Sequence, residues 1–152
     1  MDLIFISSPQ AEFVRFRKEL CYFILTDPYL SQYFDVFIFE NLPANQRNPE
    51  NNYLNKVEEC SIYLGLFGRT YGRQNDDGIS ATESEYNRAT DLNKDRLIYL
   101  KNLYQGKRRE AKMRNLVNKV AGDVTYTTFR TLSELKCKVI QSLLYWQQNQ
   151  LN

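Results

Sequence analysis

Two glutamates at the start of a predicted helix are the residues of this chain best placed for chemistry. Glu83 and Glu85 follow the glycine loop Gly68–Gly72 and a polar loop up to Gly78, and the glycine loop itself follows an apolar segment typical of a buried strand. In an open α/β sheet, a strand, loop and helix in this sequence meet at the carboxyl edge of the strands, where ligands bind. The spacing therefore predicts carboxylates placed to hold a nucleotide or a sugar.

The same glutamates also suit a purely structural role. Ser80-x-x-Glu83 and Thr82-x-x-Glu85 are both capping boxes, and the helix dipole favours acidic residues in the first turn. Only one of the two boxes can form. If Ser80 caps the helix, Glu83 is tied to the backbone and Glu85 is free, whereas a Thr82 cap exchanges these roles. The free glutamate is the one expected to line a ligand pocket.

Other candidate ligand contacts lie where predicted strands end. The Ser7-Ser8 turn and the Gly68–Gly72 loop offer backbone N–H groups for phosphate, with Arg69 or Arg73 as countercharge. Turn geometry and close packing explain the serines and glycines equally simply. The candidate ligand-binding residues are Ser7, Ser8, Gly68, Arg69, Tyr71 and Ser80.

The absence of histidine from the 152 residues narrows the chemistry. Histidine triads, Cys-His pairs and histidine metal sites are excluded, so protons must move through carboxylates, tyrosine, lysine or water. We expect no metal site. The three cysteines, Cys21, Cys60 and Cys137, are widely spaced among apolar residues and are expected to be buried, inert thiols.

The net charge of +2 conceals an asymmetry along the chain. Residues 1–100 carry 10 basic and 15 acidic side chains, and residues 101–152 carry 10 basic and 3 acidic ones. The excess is densest at Lys107–Arg109, Lys112 and Arg114, which favours contact with nucleic acid or another polyanion. However, apolar residues at helical spacing, such as Met113, leave these cations on the outer face of an amphipathic helix. Solvent exposure is the preferred interpretation, because no nucleic-acid motif accompanies the charges.

Apolar segments alternate with helical patterns along the whole chain. The predicted strands are 3–6, 36–39, 62–67, 97–100 and 124–129. Such alternation predicts a flavodoxin-like, doubly wound parallel sheet of order 2-1-3-4-5 with helices on both faces. We expect a single domain over residues 1–152, in the cytoplasm and without a membrane segment. The switch point between the first and third strands would bring Ser7 and Ser8 close to Gly68 and the glutamate helix.

Several segments resemble a bacterial domain of unknown function that commonly forms the N-terminal part of proteins labelled ATP-dependent DNA helicases or transcriptional regulators. The matching segments are 4–8, 37–44, 62–68, 78–86, 96–101 and 129–135. This resemblance covers nearly the whole chain. It implies that the chain is the N-terminal part of a longer protein.

That family is in turn similar to TIR domains and nucleoside deoxyribosyltransferases, which cleave N-glycosidic bonds in NAD or nucleosides. Both use a glutamate on the helix after the third strand, and it would stabilise or trap positive charge on the ribose. The transferase pattern implies Glu83, because Tyr86 follows at the matching distance, whereas the TIR pattern implies Glu85. The resemblance requires no metal, and NAD or another nucleotide would be the ligand rather than a fixed cofactor.

Three functions are compatible with these residues. The first is a TIR-like signalling or defence domain that binds a nucleotide or nucleoside and hydrolyses its glycosidic bond. The second is an inactive interaction module of the same fold, acting by self-association or with another partner. The third is a nucleic-acid-associated accessory domain acting through the basic C-terminal third.

Overall fold

A five-stranded parallel sheet forms the centre of the domain. The computed structural model describes the backbone of residues 1–41 and 49–151, and side chains over 1–41 and 54–151. The strands are β1 (Asp2–Ser7), β2 (Phe34–Phe37), β3 (Ile62–Phe67), β4 (Asp95–Lys101) and β5 (Thr127–Phe129). Their order is β2-β1-β3-β4-β5, and every neighbouring pair is parallel. The predicted doubly wound class and strand order are confirmed.

Helices cover both faces of this sheet. They are α1 (Gln10–Thr26), α2 (Pro49–Glu59), α3 (Ala81–Asp91), α4 (Ala111–Asp123) and α5 (Leu132–Gln150). Along β3, Leu64 packs with α1 and α5, whereas its neighbour Tyr63 packs with α2, α3 and α4. Successive strand residues point to opposite faces, so a central strand between two helical layers must be apolar throughout.

The two edge strands differ from their predicted bounds. β2 begins at Phe34, two residues earlier than expected, because Asp2 of β1 pairs with it and the exposed Asp35 interrupts the apolar run. The predicted end of that strand, Phe39, instead belongs to a short 3-10 turn, Phe39–Asn41. β5 begins only at Thr127, because Val124 still caps α4. The sequence also predicts a polar loop over 40–49 and, after it, a helix that carries Tyr53. Residues 42–48 and the side chain of Tyr53 lie outside the described residues.

One of the three cysteines is not buried as the sequence predicted. Cys21 and Cys60 are buried, but Cys137 is exposed. It lies on α5 between the buried Leu135 and Val139, so its side chain points away from the face that packs on the sheet. Among the described residues, no helix has both the length and the apolar character that a membrane span requires.

Candidate active site

Ser80 is the N-cap residue of α3, so of the two alternative capping boxes the one that starts at Ser80 forms. The Ser80 hydroxyl accepts a hydrogen bond from the Glu83 N–H at 3.1 Å, and Thr82 lies buried inside the helix. The Glu83 carboxylate does not return directly to the backbone of Ser80. Instead, the Tyr71 hydroxyl donates to Glu83 Oε1 at 2.8 Å and accepts from the Ser80 N–H at 3.1 Å. Tyr71 thus completes the cap between the helix start and the glutamate.

Glu83 is further held by a cation from the neighbouring helix. Lys119 of α4 lies 3.1 Å from Glu83 Oε2, so both carboxylate oxygens have partners. Tyr71 itself is only 4 % exposed, and burial raises the pKa of its hydroxyl. These contacts join the glycine loop, α3 and α4 into one structural cluster. They give the Glu83 carboxylate a structural role that requires no ligand.

Glu85 points toward the opposite side of the helix and enters the switch point of the sheet. Two residues on an α-helix are separated by about 200° around the axis, so Glu83 and Glu85 diverge. The Ser7 hydroxyl, at the end of β1, donates to Glu85 Oε1 at 2.6 Å. Glu85 is 8 % exposed and Ser7 1 %. Glu85 Oε2 has no hydrogen-bond partner among the described residues.

The surroundings of Glu85 change its acidity. Burial raises its pKa from 4.5 to about 7, although the Ser7 hydrogen bond and the charge of Arg17 oppose the rise. Beside it, burial and the charge of Glu85 raise the pKa of Tyr63 well above its ordinary value. Glu85 is therefore a carboxyl group that changes charge near neutral pH. Shifts of this kind are concentrated at functional sites.

A buried ion pair lies on the other side of the first strand's end. Arg17 is 2 % exposed and forms an ion pair with Glu40. Its Nη1 donates to the carbonyl and to the hydroxyl of Ser8, both at 3.2 Å. The two neighbouring serines therefore have different hydrogen-bond partners: Ser7 contacts Glu85, and Ser8 contacts Arg17.

Three buried polar atoms near this edge have no partner among the described residues. They are Nε of Arg17, Oε2 of Glu40 and the hydroxyl of Tyr63, although Ser7 lies close enough to that hydroxyl to oppose part of the rise in its pKa. Buried polar atoms are nearly always hydrogen-bonded, so each of these requires an explanation. A polar ligand at the switch point would provide one.

Carboxylates from neighbouring elements hold the backbone of the glycine loop after β3. Glu12 of α1 accepts from the Arg69 N–H at 2.8 Å and from the Thr70 N–H at 2.9 Å. Glu110 accepts from the Tyr71 N–H at 2.8 Å. These three N–H groups are occupied, and the negative charges beside them oppose a phosphate.

Gly68 is required because of the close approach of α1. A Cβ atom at Gly68 would lie 2.4 Å from Glu12 Oε2 and 2.7 Å from the Phe13 ring. Close packing therefore explains why a glycine stands at position 68. Arg69 is exposed and lies against a separate cavity rather than beside Glu85.

Sequence reasoning missed two residues of this site, Arg17 and Tyr63. Arg17 follows Phe13 by four positions on the buried stripe of α1, and a cation in that register signals a buried partner. Tyr63 lies in the apolar strand β3, where the sequence pattern does not distinguish a tyrosine with a functional role from an ordinary core residue. Among the described residues, no group of three or more Cys, Asp or Glu side chains forms a metal-binding cluster.

Fold and site together define a doubly wound α/β domain with a buried carboxylate at the switch point of its sheet. The chain belongs to the family described as domain of unknown function DUF4062, whose model matches residues 3–144. This confirms the predicted membership in a family of unknown function. No curated protein sequence matches the chain.

Two solved structures show the same fold. The CMP N-glycosidase BcmB of Clostridium botulinum is 12% identical, and the match covers 93% of this chain and 99% of that one, with a TM-score of 0.58. The 2-desoxiribosyltransferase of Leishmania mexicana is 14% identical, covering 72% of this chain and 79% of the other, with a TM-score of 0.50. At these identities the likeness establishes the fold alone.

Proposed function

We propose that this domain binds a nucleoside or nucleotide beside Glu85 and hydrolyses its N-glycosidic bond. The observation that carries the proposal is the placement of Glu85: it is buried at the switch point, free of the helix cap and bonded to Ser7 through one oxygen. The two structural neighbours, one named as a CMP N-glycosidase and the other as a 2-desoxiribosyltransferase, support the choice of ligand.

Each group around Glu85 has a defined task in this proposal. Ser7 holds Oε1, which leaves Oε2 to face the ribose. As the C1′–N bond breaks, its electrons leave with the base and positive charge develops on the sugar, which the Glu85 carboxylate stabilises. Water then adds at C1′, and its proton balances the one taken up by the departing base.

Arg17 positions the site rather than reacting in it. Its charge lowers the pKa of Glu85 and so favours the ionised form that the cleavage needs. The ion pair with Glu40 fixes the guanidinium, because a buried arginine without a carboxylate is strongly disfavoured. A place in bacterial signalling or defence, or in a helicase-like protein, remains a prediction of the family resemblance.

The test is a search for base release by the purified chain. Ribonucleosides, deoxyribonucleosides, their 5′-monophosphates and NAD are incubated separately, and free base and sugar are quantified by chromatography. We expect one of these classes to be consumed, and Glu85→Gln, prepared identically, to remove the activity. Binding of a nucleotide without any release would instead identify an inactive module, and the proposed cleavage would be wrong.

A further inference from the structure

A concave surface lies at the carboxyl edge of the sheet, between the loops that follow β3 and β4. Its volume is about 290 Å³, and its walls include Glu12, Arg69, Lys101, Tyr104 and Lys107. Glu85 does not line it. In open α/β sheets this edge is where ligands bind, so a cavity here has a favourable position.

Three cations, Arg69, Lys101 and Lys107, surround this cavity, and none of them forms an ion pair with a carboxylate in the part of the chain that the structure describes. Arg69 and Lys107 are exposed, and neither side chain has an ion-pair partner among the described residues. Lys101 Nζ lies 5.2 Å from the centroid of the Phe16 ring and 5.9 Å from that of Phe13. Like charges in one concave site raise the local positive potential and attract an anion.

The acidic residue in the cavity wall, Glu12, is hydrogen-bonded to the glycine loop. The two oxygens of Glu12 accept hydrogen bonds from the Arg69 N–H, the Thr70 N–H and the Thr70 hydroxyl, at 2.8–2.9 Å. Glu12 therefore holds the loop beneath the cavity. Its negative charge offsets one of the three cations Arg69, Lys101 and Lys107, so the cavity wall stays positive, and an anion is expected at the rim rather than at the loop N–H groups.

Arg109 fixes the two loops relative to each other before any ligand arrives. Its guanidinium donates to the Gly68 carbonyl at 2.8 Å and to the Lys101 carbonyl at 3.0 Å. The Glu110 N–H adds a bond to the Arg69 carbonyl at 2.9 Å. Preformed walls reduce the ordering cost of binding, which distinguishes this cavity from a cluster of mobile surface lysines.

An aromatic ring at the rim indicates what kind of anion fits. Tyr104 is 83 % exposed, so the face of its ring is available for stacking against a base. The volume of about 290 Å³ is just below the range of typical ligand pockets, roughly 300–1,000 Å³, so the cavity suits one nucleotide better than a polymer. We infer that this cavity binds a free phosphorylated nucleotide, its phosphates against Arg69, Lys101 and Lys107 and its base against Tyr104.

This second site is independent of the proposed cleavage at Glu85. The experiment measures binding of ATP, inorganic phosphate and a short single-stranded DNA to the intact Glu85→Gln chain, by calorimetry and by NMR shifts at Tyr104 and Lys107. That variant lacks the carboxylate on which the proposed cleavage depends, so the binding result can be interpreted whether or not the cleavage proposal holds. We expect ATP to bind more tightly than phosphate and DNA.

Variants of exposed residues locate the binding without threatening the fold. We expect Lys107→Ala and Arg69→Ala each to weaken ATP binding about five- to tenfold, as lost charge-assisted contacts do. Arg108→Ala is the matched control, since Arg108 is an exposed neighbour that does not line the cavity. An equal loss in Arg108→Ala, shifts confined to residues near Glu85, or tighter binding of DNA than of ATP would each overturn the inference.

Discussion

Ser7 and Glu85 are 78 positions apart in the chain, yet the Ser7 hydroxyl donates to Glu85 Oε1 at 2.6 Å. The contact exists because β1 and β3 are neighbours in the sheet, with Ser7 opposite Gly65, and α3 returns over that edge. It is the contact on which we base the proposed role of Glu85 rather than of Glu83. The other one, Glu83, is fully engaged by Tyr71 and Lys119.

The raised pKa of Glu85 predicts a pH-dependent cost to stability. The folded pKa of about 7 exceeds the ordinary value of 4.5, so the native state binds this proton more tightly than the unfolded chain. The contribution of the group is therefore greatest below pH 4.5 and is lost as the pH rises through 7. Relative to wild type, Glu85→Gln should gain up to roughly 3 kcal/mol in unfolding free energy across this window. Urea denaturation from pH 4.5 to 8 measures the difference, and a constant difference would contradict the prediction.

Removing the Ser7 hydroxyl should make Glu85 a weaker acid. The hydrogen bond from Ser7 favours the carboxylate, so Ser7→Ala should raise the pKa of Glu85 above about 7. Carbon-13 NMR of labelled glutamate, with Glu85→Gln for assignment, follows the titration. Ser84→Ala on the same helix is the control and should leave the midpoint unchanged. A midpoint near 4.5 in wild type would show that Glu85 is solvated.

Gly68 should tolerate no side chain. A Cβ there would lie 2.4 Å from Glu12 Oε2, so Gly68→Ala must push the Glu12 carboxylate away from the Arg69 and Thr70 N–H groups that donate to it. We expect a loss of about 1–3 kcal/mol, typical of overpacking. Gly122→Ala is the matched control, because no atom lies within 4 Å of its added Cβ and the site is helical. That control should be stabilised by roughly 0.5–1 kcal/mol in the same thermal denaturation experiment.

The buried pair of Arg17 and Glu40 should behave as a unit. Arg17→Met leaves Glu40 largely buried without its cation, and we expect a loss of about 3–5 kcal/mol. The double variant Arg17→Met/Glu40→Gln removes the uncompensated charge and should recover much of that loss. Chemical denaturation of wild type, Arg17→Met, Glu40→Gln and the double variant gives the coupling energy. Additive losses would show that the two residues act separately.

The sequence predicted the fold well because the central elements are specified by strong patterns. The apolar segment of β3 and the periodic stripes of α1 and α5 define the layers, and right-handed crossovers then leave few topologies. The edge strands were predicted less accurately. Each is apolar on fewer positions, as the exposed Asp35 of β2 shows.

The site was only partly predictable for a physical reason. Capping chemistry limited the choice to Glu83 or Glu85, but two equivalent boxes overlap by two residues and local sequence does not rank them. The deciding contact is the hydroxyl of Tyr71, which bridges the Ser80 N–H and Glu83 from outside the helix. The occupation of the glycine loop by Glu12 depends similarly on tertiary structure.

The most direct test of the central claim compares Glu85→Gln with Glu83→Gln in one base-release assay. Both variants are isosteric, lie on the same helix turn and remove one carboxylate. We predict that Glu85→Gln lowers kcat at least about 100-fold, as loss of a charge-stabilising group does, while Glu83→Gln stays within about threefold of wild type. An unchanged rate in Glu85→Gln, or equal losses in both variants, would contradict the assignment of Glu85.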